Sequence, residues 1–208
     1  MTSRKERQAA HNRKMILEAA ARVLVRGGLE GLTIEAIATE ADYSPAALYK
    51  YFKNKMAIFH ELLAYVGECL MEEIGRPSVR PPTFRGDLLH ILESAFRFAT
   101  ERSALFEALL IHAPRGELVR EGGLHRTVVQ MDLSFIEHLE KLMQRGIEAG
   151  ELRPGSALDY AWAMRGLLQA FLMRWHCTSG DGRSFAGARD HEALVDLFLN
   201  GAGTPQAR

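Results

Sequence analysis

The chain is poor in cysteine and in long apolar runs, and it carries no net charge. Its two cysteines, Cys69 and Cys177, stand far apart in 208 residues, which excludes a disulfide framework and suits a reducing compartment. No apolar run is long and uncharged enough to cross a bilayer. The opening MTSRKERQAAHNRK is polar and lacks the apolar stretch of a secretory signal, so the expectation is a cytoplasmic protein with no membrane partner. Almost no segment alternates with period two, which excludes a sheet-based body. Catalytic signatures are missing too: there is no Gly-x-Ser-x-Gly elbow, P-loop or dinucleotide fingerprint. The eight histidines are scattered. His90 and Glu93 share a helix face without a second ligand pair, and adjacent His176 and Cys177 are not spaced as two ligands on one face. The expectation is no enzyme, no cofactor and no metal site.

What the chain does have is apolar content and an uneven distribution of charge. Hydrophobic residues make up 47% of it, enough for a sizeable core. Residues 1–60 hold ten Lys/Arg against six Asp/Glu, a balance of +4, and the remainder is at −4. A positive head on a negative body is the asymmetry of a protein that meets DNA at one end. Arg4, Lys5, Arg7, Arg13 and Lys14 crowd the first residues. Their spacing fits an arm that reaches phosphates or a minor groove, and equally a disordered, solubilising tail.

The most informative segment is Leu32 to Lys55, LTIEAIATEADYSPAALYKYFKNK. Thr33 stands at a helix start as N-cap, and Leu32 and Ile37 hold hydrophobic-staple positions. Ile34, Ile37 and Ala38 make an inward face. Ala41-Asp42-Tyr43 interrupts the helix, and Asp42 tolerates the left-handed backbone that a tight bend needs. Ser44 is a second N-cap, with Pro45 at the first helical position. Two capped starts joined by so short a turn specify a helix-turn-helix, whose second helix would enter the major groove. Pro45, Ala46 and Ala47 are small enough to let the backbone approach base edges and thymine methyls. Tyr49, Lys50 and Tyr51, with Lys53 and Lys55 behind them, are phosphate-contact types. The other reading makes Tyr49, Tyr51 and Phe52 core aromatics of a small bundle, and this suits Phe52 best.

The segments ILEAAARVLVRGGLEGLTIEAIATEA, YSPAALYKYFKNK and MAIFHELL resemble the DNA-binding domain of the TetR/AcrR family of bacterial transcriptional regulators, from about Lys14 to Leu63. The resemblance implies phosphate contacts from Thr33, Tyr49, Lys50, Tyr51 and Lys55 and base-facing positions at Pro45, Ala46 and Ala47; Ser44 completes the DNA-binding set. Asp42 and Ala46 stand where many members have Gly, and Val25 where the first helix often has Phe. Ala46 leaves the operator sequence open.

Helical periodicity predicts an all-α chain: a three-helix DNA-binding domain over residues 1–55, with an arm over 1–11, joined to a larger helical regulatory and dimerisation domain over 56–208. Helices are expected at Asn12–Arg26, stopped by Gly27-Gly28, and at Lys55–Ile74, Phe84–Thr100, Ala104–His112, Leu124–Ala149, Ser156–Cys177 and Arg189–Asn200. The Ser156–Cys177 helix is apolar nearly all round and needs cover on every side. A partner subunit is the economical cover. The expected homodimer face is therefore Leu167, Leu168, Phe171, Trp175, Leu194, Leu197 and Phe198 in a four-helix interface. The alternative is that both helices are ordinary core. The resemblance implies the dimer, and also an effector pocket among the middle helices. Phe96, Phe106, His112, Met131, Phe135, His138, Trp162 and Arg165 are its candidates, for a small, largely apolar molecule. The expected function is a ligand-responsive regulator, most simply a repressor that binds a palindromic DNA operator. The competing class is a helical protein-interaction module without DNA binding.

Overall fold

The computed structural model describes residues 3–80, 82–108, 124–178 and 188–202. The described residues form helices and no strand: α1 (Arg4–Gly31), α2 (Ile34–Glu40), α3 (Pro45–Leu48), α4 (Lys55–Ile74), α5 (Phe84–Glu101), α6 (Ser103–Glu107), α7 (Leu124–Glu148), α8 (Ala157–Thr178) and α9 (Ala188–Ala202). Two compact units divide the chain. One takes Met1–Cys69 and Arg102–Val129, the other Leu70–Glu101 and Gln130–Arg208.

The first unit is built on α1. Its helix begins eight residues before the expected Asn12, because Ser3 and Glu6 close a capping box: Glu6 N donates to Ser3 Oγ at 3.2 Å and Ser3 N to Glu6 Oε2 at 2.7 Å. The predicted Gly27-Gly28 stop is a break at Gly28, where φ is +60°, a conformation suited to glycine. Ile16, Leu17, Ala20 and Leu24 point into the core, and α1 packs on both α2 and α6. The unit extends past the expected boundary at residue 55. The part of α4 within this unit buries Ile58, Phe59, Leu62, Leu63 and Val66 completely. Its polar residues bind α1: Glu61 pairs with Arg13, and Tyr65 Oη donates to Glu18 Oε1 at 3.1 Å.

The second unit contains α5, α8 and α9, mutually in contact. α5 buries Leu88, Leu92, Ala95, Phe96 and Ala99 at helical spacing. α8 turns Ala157, Ala161, Met164, Leu168 and Leu172 inward, and α9 adds Leu194, Val195, Phe198 and Leu199. The end of α7 lies close to the start of α5: a Cβ on Gly146 would fall 2.8 Å from the Phe84 ring. α7 stops in a Schellman motif, with Gly150 at φ +72°, Gly150 N donating to Ile147 O and Glu151 N to Gly146 O. No helix among the described residues is long and apolar enough to cross a membrane.

Candidate nucleic-acid interface

Local hydrogen bonds create the bend that presents α3. Thr33 Oγ1 accepts from Ala36 N at 3.1 Å and starts α2. At its end Tyr43 N donates to Ala38 O at 2.9 Å and Asp42 N to Thr39 O at 3.3 Å, the two bonds of a Schellman motif. The left-handed position falls on Asp42, at φ +59°. Ser44 Oγ then accepts from Ala47 N at 3.2 Å, and Pro45 opens α3. The regular helix lasts four residues, Pro45–Leu48. Its turn continues through Tyr51 N to Leu48 O at 2.9 Å and Phe52 N to Leu48 O at 3.0 Å.

This turn sorts its side chains by face. Leu48 and Phe52, four apart, are buried and fasten the element to the unit, which resolves Phe52 as core. Pro45, Ala46, Tyr49 and Lys50 are exposed on the other side, Tyr49 at 58%. Ala47 is half-buried. Tyr51 is half-buried, and its Oη accepts from Asn12 Nδ2 at 2.9 Å. Thr33, Ser44 and Tyr51 thus each use their hydroxyl oxygen as an acceptor and retain the O–H proton for a further partner. Lys55 Nζ lies 3.4 Å from Leu29 O, a long bond that leaves donors to spare. Asn54, absent from the predicted set, caps α4 by accepting from Ala57 N at 2.8 Å. An Asn directly before the apolar-periodic run was its sequence signal.

The surrounding cations divide into engaged and unengaged groups. Arg13 forks onto Glu61 and lies 4.7 Å from the Phe52 ring centroid, and the Glu61 hydrogen bond raises its pKa. Lys14 sits 5.7 Å from the Tyr65 ring centroid. Arg26 and Arg22 share Glu40 and hold its carboxyl below the usual range, Arg26 foremost. Arg4, Lys5, Arg7, Lys50 and Lys53 form no ion pair among the described residues.

The predicted effector residues are divided between the two units. Phe96 and Phe135 are buried in the second unit, while Phe106 is buried in the first. His112 and the Met131 side chain lie outside the described residues. His138 is exposed; desolvation of its ring, then Arg145 and Lys141, lower its pKa. Trp162 is 46% exposed, with the Arg165 guanidinium 5.7 Å from its ring centroid and Arg165 Nη1 donating to Gln169 Oε1. Sequence reasoning missed His191, 7% exposed, whose ring centroid lies 4.6 Å from that of Phe96. An open groove of about 470 Å³ between α1 and α2 is lined by Val23, Arg26, Ala36 and Glu40 among others, and by none of the expected effector residues.

The expected dimer face also redistributes. Leu168, Leu194 and Phe198 belong to the second unit's own core, because they share the inward stripes of α8 and α9. Leu167, Phe171 and Trp175 are half-buried. The uncovered large apolar residues are Leu158, Trp162 and Met173 on α8 and Leu197 on α9, with Ala163, Gly166 and Ala170 exposed between them.

A capped helix-turn-helix with a buried anchor and an exposed Tyr-Lys face defines a helix-turn-helix protein whose described elements are all helical. Residues 16–62 match the bacterial regulatory proteins of the tetR family. The chain is 25% identical to the HTH-type transcriptional regulator AcrR of Shigella flexneri, over 96% of this chain and 94% of that one. It is 31% identical to the nucleoid occlusion factor SlmA of Haemophilus influenzae over 133 residues, which span 64% of this chain and only 57% of SlmA. In fold it is similar to the transcriptional regulator FadR from Bacillus subtilis, solved in complex with stearoyl-CoA: the TM-score is 0.74 at 18% identity, covering 90% of this chain and 98% of that one. Residues 16–62 thus resemble the DNA-binding domain of the tetR family, and the chain is similar along most of its length to an HTH-type transcriptional regulator.

Proposed function

We propose that this protein is a cytoplasmic transcriptional repressor that binds a palindromic operator as a homodimer and is released by a small, largely apolar effector. In this reading residues 1–55 bind DNA and residues 56–208 carry regulation and dimerisation. The observation that carries the DNA reading is the sorting of α3 into a buried Leu48–Phe52 anchor and an exposed Pro45, Ala46, Tyr49, Lys50 face. Pro45, Ala46 and Ala47 approach base edges. Tyr49, Lys50 and Lys55, with the spare hydroxyl protons of Thr33, Ser44 and Tyr51, take phosphates.

Small base-facing residues limit what one head can select, so two heads on a two-fold axis read half-sites roughly 34–36 Å apart. The dimer contact is the uncovered face of α8 and α9, flanked by Leu167, Phe171 and Trp175. For the effector, Phe96 and Phe135 offer apolar lining in the second unit. FadR, solved in complex with stearoyl-CoA, is a structural neighbour whose ligand carries a long apolar acyl chain. Release works if the effector binds the non-DNA state better; about 1.4 kcal/mol of coupling gives a tenfold loss of DNA affinity.

Fluorescence anisotropy with duplex DNA from upstream of the protein's own coding sequence tests the assignment. Lys50→Ala should weaken binding to all sequences and reduce the salt slope by about 1. Ala46→Leu should instead change which sequence is preferred. If both variants bind as the parent does, α3 is not the reading element.

A further inference from the structure

His191 is an unsatisfied polar group set among aromatic rings. The residue is 7% exposed, and neither ring nitrogen has a hydrogen-bond partner among the described residues. A buried donor or acceptor without a partner carries the full cost of its desolvation, and native interiors keep few of them. The Phe96 ring on α5 has its centroid 4.6 Å from that of His191 on α9. Trp175 on α8 meets Phe96 edge to face, with centroids 6.3 Å apart. Phe96 and His191 are buried, whereas Trp175 is half-buried and is the most accessible of the three. All three belong to the second unit.

Charge around the ring narrows what can satisfy it. Desolvation lowers the His191 pKa and Arg80 adds to that, while Glu93 and Asp190 oppose it. The imidazole is therefore neutral at neutral pH, with one N–H and one bare nitrogen. A hydroxyl suits either tautomer, because it can accept from the N–H or donate to the bare nitrogen. A carboxylate can only accept, and it would lie near Glu93 and Asp190; Arg80, the cation beside them, is already paired with Glu93. An ammonium meets the same desolvation that keeps the imidazole itself from holding a second proton. Phe96 and Trp175 offer flat apolar surface to the rest of the molecule.

We propose that His191, Phe96 and Trp175 form a binding subsite for the hydroxyl group of a neutral, otherwise apolar molecule. The subsite rests on the reading of the second unit as effector-responsive, and it narrows that effector to an alcohol or phenol. The full chain is titrated at neutral pH, without DNA, with octan-1-ol, octanoate and octylamine, followed by calorimetry and tryptophan emission. Octan-1-ol should bind saturably, and the two charged probes at least about tenfold more weakly. His191→Leu should weaken octan-1-ol about tenfold, and His191→Gln, which keeps a donor and an acceptor, should recover most of that loss. Circular dichroism should show each variant folded. The emission change should vanish in Trp175→Phe, where Trp162 alone reports. The subsite is overturned if octan-1-ol does not bind, if the three probes bind alike, or if His191→Leu binds octan-1-ol as the parent does. An emission change that survives Trp175→Phe puts the probe elsewhere and overturns it as well. Anisotropy of the DNA complex separates the two readings. Octan-1-ol that binds through His191 without releasing DNA supports the subsite and removes the release mechanism.

Discussion

Asp42 shows how much one backbone position can carry. It holds φ +59° between α2 and α3, where an L-residue is strained and an Asp less so than most. Asp42→Ala should cost about 1 kcal/mol in denaturant unfolding, and Asp42→Gly should be neutral or slightly stabilising. A larger loss in the Gly variant would mean the carboxylate matters more than the backbone angle. His191 carries a different burden. Both its ring nitrogens are buried without a hydrogen-bond partner among the described residues, and burial lowers its pKa below 6.5. Glu93 and Asp190 oppose that shift and Arg80 adds to it. The folded chain therefore favours neutral His191, while the unfolded chain takes up a proton below its ordinary pKa. Its contribution to stability is complete above about pH 6.5 and is lost as pH falls below that value. From about pH 7.5 to about pH 5.5 the melting temperature of the parent should drop further than that of His191→Leu. Equal drops would remove His191 as the cause.

Among the elements, legibility followed capping. The predicted Lys55–Ile74 limits of α4 match the structure because Asn54 supplies a local start signal. The Ser44-Pro45 start of α3 was readable for the same reason. α1 begins upstream of its expected start because Ser-Arg-Lys-Glu carries a capping-box pattern, a local signal that the basic composition of the segment masks. α8 shows the opposite limit. A helix with apolar residues almost all round has no phase in its sequence. Leu168 went inward and Trp162 outward because α5 and α9 occupy one side of it.

For the whole molecule, the uncovered α8–α9 face makes the case for a second copy. Trp162, Met173 and Leu197 are 46%, 39% and 55% exposed, with the small residues Ala163, Gly166 and Ala170 between the α8 pair. Exposed apolar surface of this kind is what the proposed dimer contact needs. A Cβ on Gly166 meets nothing within 4 Å, so Gly166→Glu leaves the subunit's own packing alone. In sedimentation at micromolar concentration the parent should run as a dimer and Gly166→Glu as a monomer, with operator binding weakened in step. A monomeric parent would end the two-head account of specificity.

The sequence by itself determined the helix-turn-helix. Its caps, staple and bend act across a few neighbouring residues, and their chemistry is complete within Leu32 to Lys55. Tertiary structure decided which side chains remain free to act. The Asn12–Tyr51 bond joins positions 39 apart, and the Arg13–Glu61 pair joins positions 48 apart. Such partners are chosen by how helices meet, so no local pattern announces them. They separate Arg4 and Lys5 from Arg13 and Lys14, cations that look alike in the primary chain. The choice of α8 face has the same origin: packing selects which apolar stripe the unit buries and which it leaves exposed.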